Sequence, residues 1–357
     1  MKEVLRQLLG QKDERKPADE SLFLSGRNYL NPQMPAPLPE KTQLPPVPTQ
    51  VGPVAGLVTV NDNGQIFQLA PGEVYEGGIR IIPGPAPTFT GLLDDYPGAA
   101  AAYSLRRLAT AYTGPLVQVR RASDNDETTI PYKDDGTLDV AVLNAFAAGT
   151  DAFVSEWPDQ STNESDALQT STSAQPKIYD ASTGIILDGG KPALSFNGTS
   201  SYLQITSPAS INTTNNLSAF AVNSPNDISA NVIVSKWETS TSIRPWIFVY
   251  VSSNLRLALN NNDLKLNVST TARKQLSSFV YNKSSNVIAI DGTPTSFTYS
   301  SNLQNAPSVD VLIGAERPLS PQAFFSGPIQ EVILYPSDQS TNRTGIETNI
   351  NDFYSIY

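Results

Sequence analysis

Short apolar runs alternate with polar turns along the chain from about residue 93 to the C-terminus. The runs are rich in Val, Ile, Leu and aromatic residues, and Gly, Asn, Ser and Pro separate them at intervals of roughly 8–12 residues, which is typical of strands in a sandwich or jelly roll. The segments that we predict as strands are 114–123, 152–157, 193–196, 202–205, 218–222, 231–236, 246–251, 255–259, 275–281, 286–290, 309–313 and 325–335. The pattern therefore predicts one mainly β domain over residues 93–357.

Three segments of this domain predict short helices instead. Residues 99–108 are rich in alanine, and residues 140–148 follow Asp139, a residue type that caps helix N-termini well. Apolar side chains recur at helical spacing over residues 340–354. They are Ile346, Ile350 and Phe353.

Residues 1–53 have a different composition. Residues 1–16 predict a short helix, and eight prolines fall between Pro32 and Pro53, which favours an extended, polyproline-like segment. Because a short helix is marginal alone, we interpret this region as an extended Pro-rich arm that anchors the protein to neighbouring chains. The residues that we assign to anchoring are Val4, Leu5, Leu8, Leu9, Pro45 and Pro46.

Residues 54–92 predict a small β module between the arm and the large domain. Two strand-like runs surround a hairpin-type turn at residues 61–64, and a third run follows at 78–82. The module is too small to be a strong independent domain, so we expect it to pack against another part of the protein or another copy.

Composition excludes several kinds of chemistry. The chain of 357 residues has no cysteine and no histidine, which rules out disulfides, zinc sites with Cys or His ligands and Ser-His-Asp catalysis. We therefore expect no cofactor and no metal, although Asp, Asn and carbonyl oxygens leave a Ca²⁺ site open. The net charge of −10 argues against a nucleic-acid partner, and no apolar run of about 18 residues is present to span a membrane. The N-terminus lacks the pattern of a signal peptide, so we do not expect general secretory export.

Three groups of residues are candidates for sugar binding. Trp157, Asp159 and Gln160 in "EWPDQS" either line a sugar cleft or form core and turn. Trp237 and Trp246 flank one loop and predict either a ligand platform or buried packing. Glu316 and Arg317 are either a functional acid with its orienting arginine or a solvated pair.

Four arginines, at residues 106, 107, 120 and 121, lie near the start of the large domain. Strand alternation places Arg120 and Arg121 on opposite faces, so they cannot form one binding fork. We expect them to pair with the acidic loop 124–127 and with another subunit, which makes this stretch structural.

Several quoted stretches carry a resemblance to known families. "AYSLRRLATAYTGPLVQVRRASDNDETTI", "DGTLDVAVLNAF" and "DAFVSEWPDQS" resemble the start of the catalytic domain of family 54 α-L-arabinofuranosidases. "KPALSFNGTSSYLQI" and "FFSGPIQEVILYPSDQSTNRTGIETNINDFY" resemble laminin-G-like modules of bacteriophage structural proteins. Over about residues 94–357, the resemblance implies a concanavalin A-like (jelly-roll) β-sandwich with a few short helices.

The resemblance also implies an active site with two carboxylates, a nucleophile and an acid/base. Glu316 falls at or next to the acid/base position. The segment matching the nucleophile strand, residues 242–254, contains no carboxylate, and Glu238 lies before it. The family's adjacent cysteine pair is absent as well. A double displacement needs both carboxylates, so we predict that the protein is not an enzyme.

These observations favour a bacteriophage virion structural protein of the decoration, fibre or spike type. Its arm would contact other virion proteins of the capsid, collar or tail, and its sandwich would display a lectin-like surface for host glycans. We expect a homo-oligomer, with a trimer as first candidate, located in the virion and assembled in the bacterial cytoplasm. The alternative is a glycoside hydrolase, arabinofuranosidase-like, acting on surface polysaccharide.

Overall fold

The structure is a computed structural model of the chain. It describes residues 89–260 and 263–357, together with four strand segments between residues 58 and 81. The chain divides into two compact units, Met1–Thr88 and Phe89–Tyr357. The predicted anchoring arm, including Val4, Leu5, Leu8, Leu9, Pro45 and Pro46, lies outside the described residues.

Two antiparallel strand pairs are described in the first unit. Strands β1 (Val58–Asp62) and β2 (Gln65–Leu69) pair around residues 63–64, as the hairpin-type turn in the sequence predicts. Strands β3 (Val74–Glu76) and β4 (Ile79–Ile81) form the second pair.

The second unit is mainly β, as predicted. Nineteen strands of its described residues belong to one hydrogen-bonded sheet that folds into a sandwich, and β12 and β13 pair separately. Its strands are β5 (Ala101–Ser104), β6 (Val117–Arg121), β7 (Glu127–Ile130), β8 (Ala152–Trp157), β9 (Ala167–Leu168), β10 (Lys177–Asp180), β11 (Gly184–Ile185), β12 (Leu187–Asp188), β13 (Lys191–Pro192), β14 (Leu194–Asn197), β15 (Leu203–Ile205), β16 (Leu217–Asn223), β17 (Ala230–Glu238), β18 (Ile243–Val251), β19 (Asn254–Leu259), β20 (Asp263–Ser269), β21 (Gln275–Tyr281), β22 (Asn286–Ile290), β23 (Thr293–Phe297), β24 (Val311–Ile313) and β25 (Ser326–Tyr335).

The helices are short, as predicted. They are α1 (Leu92–Asp95), α2 (Val140–Ala147) and α3 (Arg343–Tyr354), with single 3₁₀ turns at Thr172–Ala174 and Ala209–Ile211. Asp139 caps α2 by accepting hydrogen bonds from the backbone N–H groups of Ala141 and Val142.

Two layers enclose the main core. Strands β5, β25, β16, β21, β22 and β23 pair in one run, and β15, β24, β17, β18, β19 and β20 pair in another. Successive side chains of a strand point to opposite faces of the sheet, so one set faces the core and the other set faces outward. In β18, Phe248 and Tyr250 belong to the main core, whereas Ile247 and Val249 form a small apolar cluster on the outer face. Helices α1 and α3 cover the outer face of the first run. The outer face of the second run carries the small apolar cluster, and the candidate site lies on that face.

The helix predicted over residues 99–108 is wrong. Residues Ala101–Ser104 form β5, which pairs with β25. Ala101 and Tyr103 pack into the main core, and Ala102 packs into the cluster under α3. Burial on both faces of β5 therefore outweighs the helix propensity of alanine.

A buried ion pair joins three distant parts of the fold. Glu331 on β25 is fully buried and accepts hydrogen bonds from Arg106 Nε (2.8 Å), Arg106 Nη2 (3.0 Å) and Ser104 Oγ (2.7 Å). The Tyr354 hydroxyl at the end of α3 lies 3.2 Å from the same carboxylate, and the Arg106 guanidinium stacks over the Phe353 ring. This network ties β5 and α3 to the central strand β25.

Replacing Glu331 with Gln tests that network. The substitution leaves the Arg106 charge buried without a counter-charge, so we expect the free energy of unfolding to fall by about 3 kcal/mol in urea titrations. The matched control is Arg121→Gln, because the ion pairs of Arg121 with Asp124 and Asp126 are exposed. A Glu331→Gln protein that is as stable as the control would contradict the structural role.

Candidate functional site

An open groove crosses the outer face of β17, β18 and β19. It has a volume of about 530 Å³. Its floor is apolar, because Val232, Ile247, Val249 and Ala258 pack together on this side of the sheet. Charged side chains stand at its edges, namely Arg244, Arg256, Glu316 and Arg317. A groove with an apolar floor and a few charged groups is a usual form of ligand site.

Glu316 enters this groove from the loop between β24 and β25. The loop is held by a bridge in which the backbone N–H groups of Glu316 and Gln322 donate to each other's carbonyls (3.0 and 3.1 Å). The Gln322 side-chain amide also donates to Glu316 Oε1 (2.8 Å). The carboxylate is thereby held in place at the groove wall, with 13% of the side chain exposed.

Arg317 connects the loop to strand β17. Its backbone N–H donates to the Trp237 carbonyl (3.0 Å), and its Nη1 donates to Gln322 Oε1 (2.9 Å). Its Nε lies 3.2 Å from Glu316 Oε1 as an ion pair. Arg317 has a φ of 61°, a left-handed conformation that costs energy for a residue with a Cβ. Its guanidinium consequently lies between the loop and the end of β17.

Glu238 is the second carboxylate at this position. It ends β17, is 3% exposed, and accepts backbone N–H groups from Ser240 at Oε1 (2.7 Å) and from Leu319 at Oε2 (3.1 Å). Burial alone would raise the pKa of Glu238. The hydrogen bonds and the Arg317 charge outweigh burial and lower that pKa below its ordinary value. Glu238 is therefore ionised at neutral pH.

One loop segment thus connects Glu316 and Glu238. Residues 316–319 carry Glu316 at one end, and the backbone N–H of Leu319 at the other end donates to Glu238. The sequence alone assigns Glu238 no role as nucleophile, because Glu238 precedes residues 242–254, which match the nucleophile strand. The structure ends β17 at Glu238 and pairs it with Ile243, and Leu319 of the loop between β24 and β25 donates its backbone N–H to Glu238. Strand β18 itself contains no carboxylate, as the sequence shows.

The two tryptophans of the β17–β18 hairpin have different surroundings. Trp237 belongs to the outer cluster and lines the groove, and the Arg244 guanidinium lies 5.9 Å from its ring centroid. Trp246 is fully buried in the main core. The structure therefore brings Trp237, Glu316 and Arg317 together and separates Trp246 from them.

The residues of "EWPDQS" lie in the protein interior. Trp157 is fully buried in the main core. Asp159 accepts the backbone N–H of Ala102 (2.8 Å) and of Ser161 (2.8 Å). Gln160 accepts from the Leu108 N–H and donates to the Ser104 and Arg106 carbonyls. These contacts fix the strand β5 and the turn after it.

Within the described residues, no helix is long and apolar enough to cross a membrane. No cluster of three or more His, Cys, Asp or Glu side chains is arranged there to hold a metal ion.

The fold is similar to that of solved arabinofuranosidases. A family GH54 α-L-arabinofuranosidase soaked with a cyclic sulfate inhibitor superposes with a TM-score of 0.55 at 16% identity, covering 71% of this chain and 62% of that one. An arabinofuranosidase complexed with arabinofuranosyl-α-1,2-xylobiose gives a TM-score of 0.53 at 17% identity, with the same shares of each chain. At these identities the similarity establishes the β-sandwich fold.

Sequence comparisons point to the same enzymes. Residues 94–242 match the family model "Alpha-L-arabinofuranosidase B, catalytic". Alpha-L-arabinofuranosidase B of Emericella nidulans is 36% identical over 117 residues, which cover 31% of this chain and 22% of that protein. An arabinofuranosidase/β-xylosidase of Trichoderma koningii is 43% identical over 65 residues, covering 18% of this chain and 13% of that protein. The chain thus spans less than a quarter of the length of these curated relatives.

These similarities correct the functional predictions made from the sequence. The bacteriophage virion structural protein, its host-adsorption role and its location in a virion are wrong, because the family model and the curated relatives that match are arabinofuranosidases. The prediction that the protein is not an enzyme is wrong on the same finding. Absent cysteine, an absent signal pattern and a Pro-rich arm are shared by many classes of protein, so they could not identify one. The homo-oligomer stays a prediction.

Glu238→Gln tests the electrostatics of the site. Because folding lowers the pKa of Glu238 from its ordinary 4.5, the ionised carboxylate stabilises the fold above that pH, and this stabilisation is lost as the pH falls through the lower, folded-state pKa. We expect Glu238→Gln to unfold at a lower urea concentration than the unmodified protein at pH 7. The difference should shrink below pH 4.5.

The matched control is Glu164→Gln on an exposed loop. It should follow the unmodified protein over the whole pH range. A deficit in Glu238→Gln that is the same at pH 7 and at pH 3 would mean that lost packing, rather than the charge, destabilises that variant.

Proposed function

We propose that the sandwich domain is a glycoside hydrolase that acts on α-L-arabinofuranosides. One observation carries the proposal: Glu316 lines the open groove, and the loop that carries it also contacts a second carboxylate, Glu238, at the end of β17. The matched family and the named relatives are arabinofuranosidases, which supplies the substrate class.

Glu316 is the general acid and base in this proposal. Its carboxyl group is at the groove wall, and it falls at or next to the position that the resemblance assigns to the acid/base. In its protonated form it donates a proton to the glycosidic oxygen as the bond from that oxygen to the anomeric carbon breaks. In the second half of the reaction it removes a proton from the water that attacks the anomeric carbon.

Glu238 is the nucleophile. Its lowered pKa keeps the carboxylate ionised at neutral pH, which is the state that attacks an anomeric carbon. Its attack forms a glycosyl ester as the leaving group departs, and water later breaks that ester to release arabinose and restore the carboxylate. Two backbone N–H groups hold its oxygens, so little reorganisation is needed before attack.

Trp237 belongs to the apolar packing beneath these groups. It is 3% exposed, and the Arg244 guanidinium lies over its ring. It therefore shapes the groove wall from below, and its backbone carbonyl holds Arg317.

Two substrates separate the two roles. On 4-nitrophenyl α-L-arabinofuranoside the leaving group needs little protonation, whereas arabinofuranosyl-α-1,2-xylobiose has a poor leaving group. We expect Glu316→Gln to lower kcat/KM on the xylobiose substrate by at least about 100-fold and on the nitrophenyl substrate by much less. Glu238→Gln should lose activity on both substrates alike.

Steady-state kinetics on both substrates, with Glu164→Gln as the exposed control, measures this. Equal losses in Glu316→Gln on the two substrates would contradict its role as the acid. Full activity in Glu238→Gln would remove it as nucleophile, and an unmodified protein that hydrolyses neither substrate would overturn the proposed function.

A further inference from the structure

The groove is cationic although the chain is acidic. Among the described residues lining it, three arginines stand against one carboxylate, Glu316. The whole chain has a net charge of −10. A local excess of positive charge within a concave surface attracts and orients anionic ligands.

Arg244, which lines the groove, has a buried hydrogen-bond donor, its Nε, without a partner within the described residues. The guanidinium stacks over Trp237, and no ion pair with a carboxylate is found for it in that part of the chain. A buried donor left without a partner is costly and rare, so it requires an explanation.

Arg256 places a second cation further along the groove. It projects from the outer face of β19, where its neighbours Leu255 and Leu257 face the core. Its Nε donates to Asn267 Oδ1 (2.8 Å), and its two terminal nitrogens have no protein partner within the described residues. Arg256 pairs across the sheet with Val249 on β18. Val249 lies five residues along β18 from Arg244, so the backbone positions of the two arginines are about 17 Å apart in the strand direction.

We propose that Arg244 and Arg256 each bind a uronic acid carboxylate, so that the substrate is an arabinofuranoside carried on an acidic glycan. The inference rests on the proposed function for the arabinofuranoside and adds the acidic sugar of the chain that carries it. Guanidinium groups bind carboxylates through paired, charge-assisted hydrogen bonds, and the free nitrogens of both arginines supply them. Their separation along the strand direction means that they contact different positions of the glycan.

The test compares two arabinofuranosylated xylo-oligosaccharides that differ only in one glucuronic acid branch. Binding to the Glu316→Gln protein is measured by calorimetry, which avoids turnover. We expect the acidic oligosaccharide to bind about tenfold more tightly, as charge-assisted contacts predict. The preference should decrease as salt is raised from about 0.05 M to about 0.5 M, because salt screens exposed charges.

Arginine variants identify the groups responsible. Adding both Arg256→Gln and Arg244→Gln should reduce the ratio of the two affinities towards one, and the single variants identify which arginine binds this branch. Adding Arg121→Gln, which removes the same charge from β6, should leave the ratio unchanged. Circular dichroism checks that each variant is folded, and the salt series on the protein with intact arginines gives an answer even if Arg244→Gln fails to fold.

The outcomes separate this inference from the proposed function. Hydrolysis of neutral arabinofuranosides together with equal affinity for the two oligosaccharides overturns the acidic-glycan inference alone. Tighter binding of the acidic oligosaccharide without any hydrolysis supports the inference and overturns the hydrolase. A preference that persists in the double arginine variant overturns the assignment of Arg244 and Arg256, and no binding of either oligosaccharide overturns both proposals.

Discussion

The buried carboxylate of Glu331 holds together the framework on which the groove depends. Arg106, Ser104 and Tyr354 surround it and join β5, the central strand β25 and helix α3. A buried ion pair of this kind tolerates little displacement, because either partner alone would be an uncompensated charge. It therefore fixes the position of β25, and with it the loop that leads into β25.

The loop that leads into β25 is also hydrogen-bonded to β17 at the candidate site. Where β25 begins, the Phe325 N–H donates to the Gly314 carbonyl (2.8 Å), and the Gly314 N–H donates to Ile233 on β17 (2.9 Å). Gly314 has a φ of 85°, and a Cβ there would lie 2.5 Å from the Phe196 ring, so the turn requires glycine. Residues 316–319 then cross the end of β17, where Glu238 accepts the Leu319 N–H. Backbone N–H hydrogen bonds from Gly314 to β17 and from Leu319 to Glu238 therefore fix the loop that carries Glu316 relative to the end of β17.

Much of the fold could be predicted from alternation in the sequence. The segment 246–251 alternates between aromatic core residues and smaller apolar residues, and the structure divides them between the two faces of β18. Residues 99–108 could not be predicted in this way, because alanine has no pattern that distinguishes a doubly buried strand from a helix. The candidate site was predictable in part: Glu316 and Arg317 stand out as a charged pair after a glycine. Glu238 did not, because its proximity to them depends on the long-range pairing of β17 with β24.

The central claim is that the two carboxylates act on one arabinofuranoside in the groove. A crystal structure of the Glu316→Gln protein soaked with arabinofuranosyl-α-1,2-xylobiose tests it most directly. The account predicts the anomeric carbon about 3–3.5 Å from a Glu238 oxygen, with the glycosidic oxygen within hydrogen-bond distance of residue 316. A sugar bound elsewhere on the sandwich, or one in the groove that Glu238 does not reach, would contradict it.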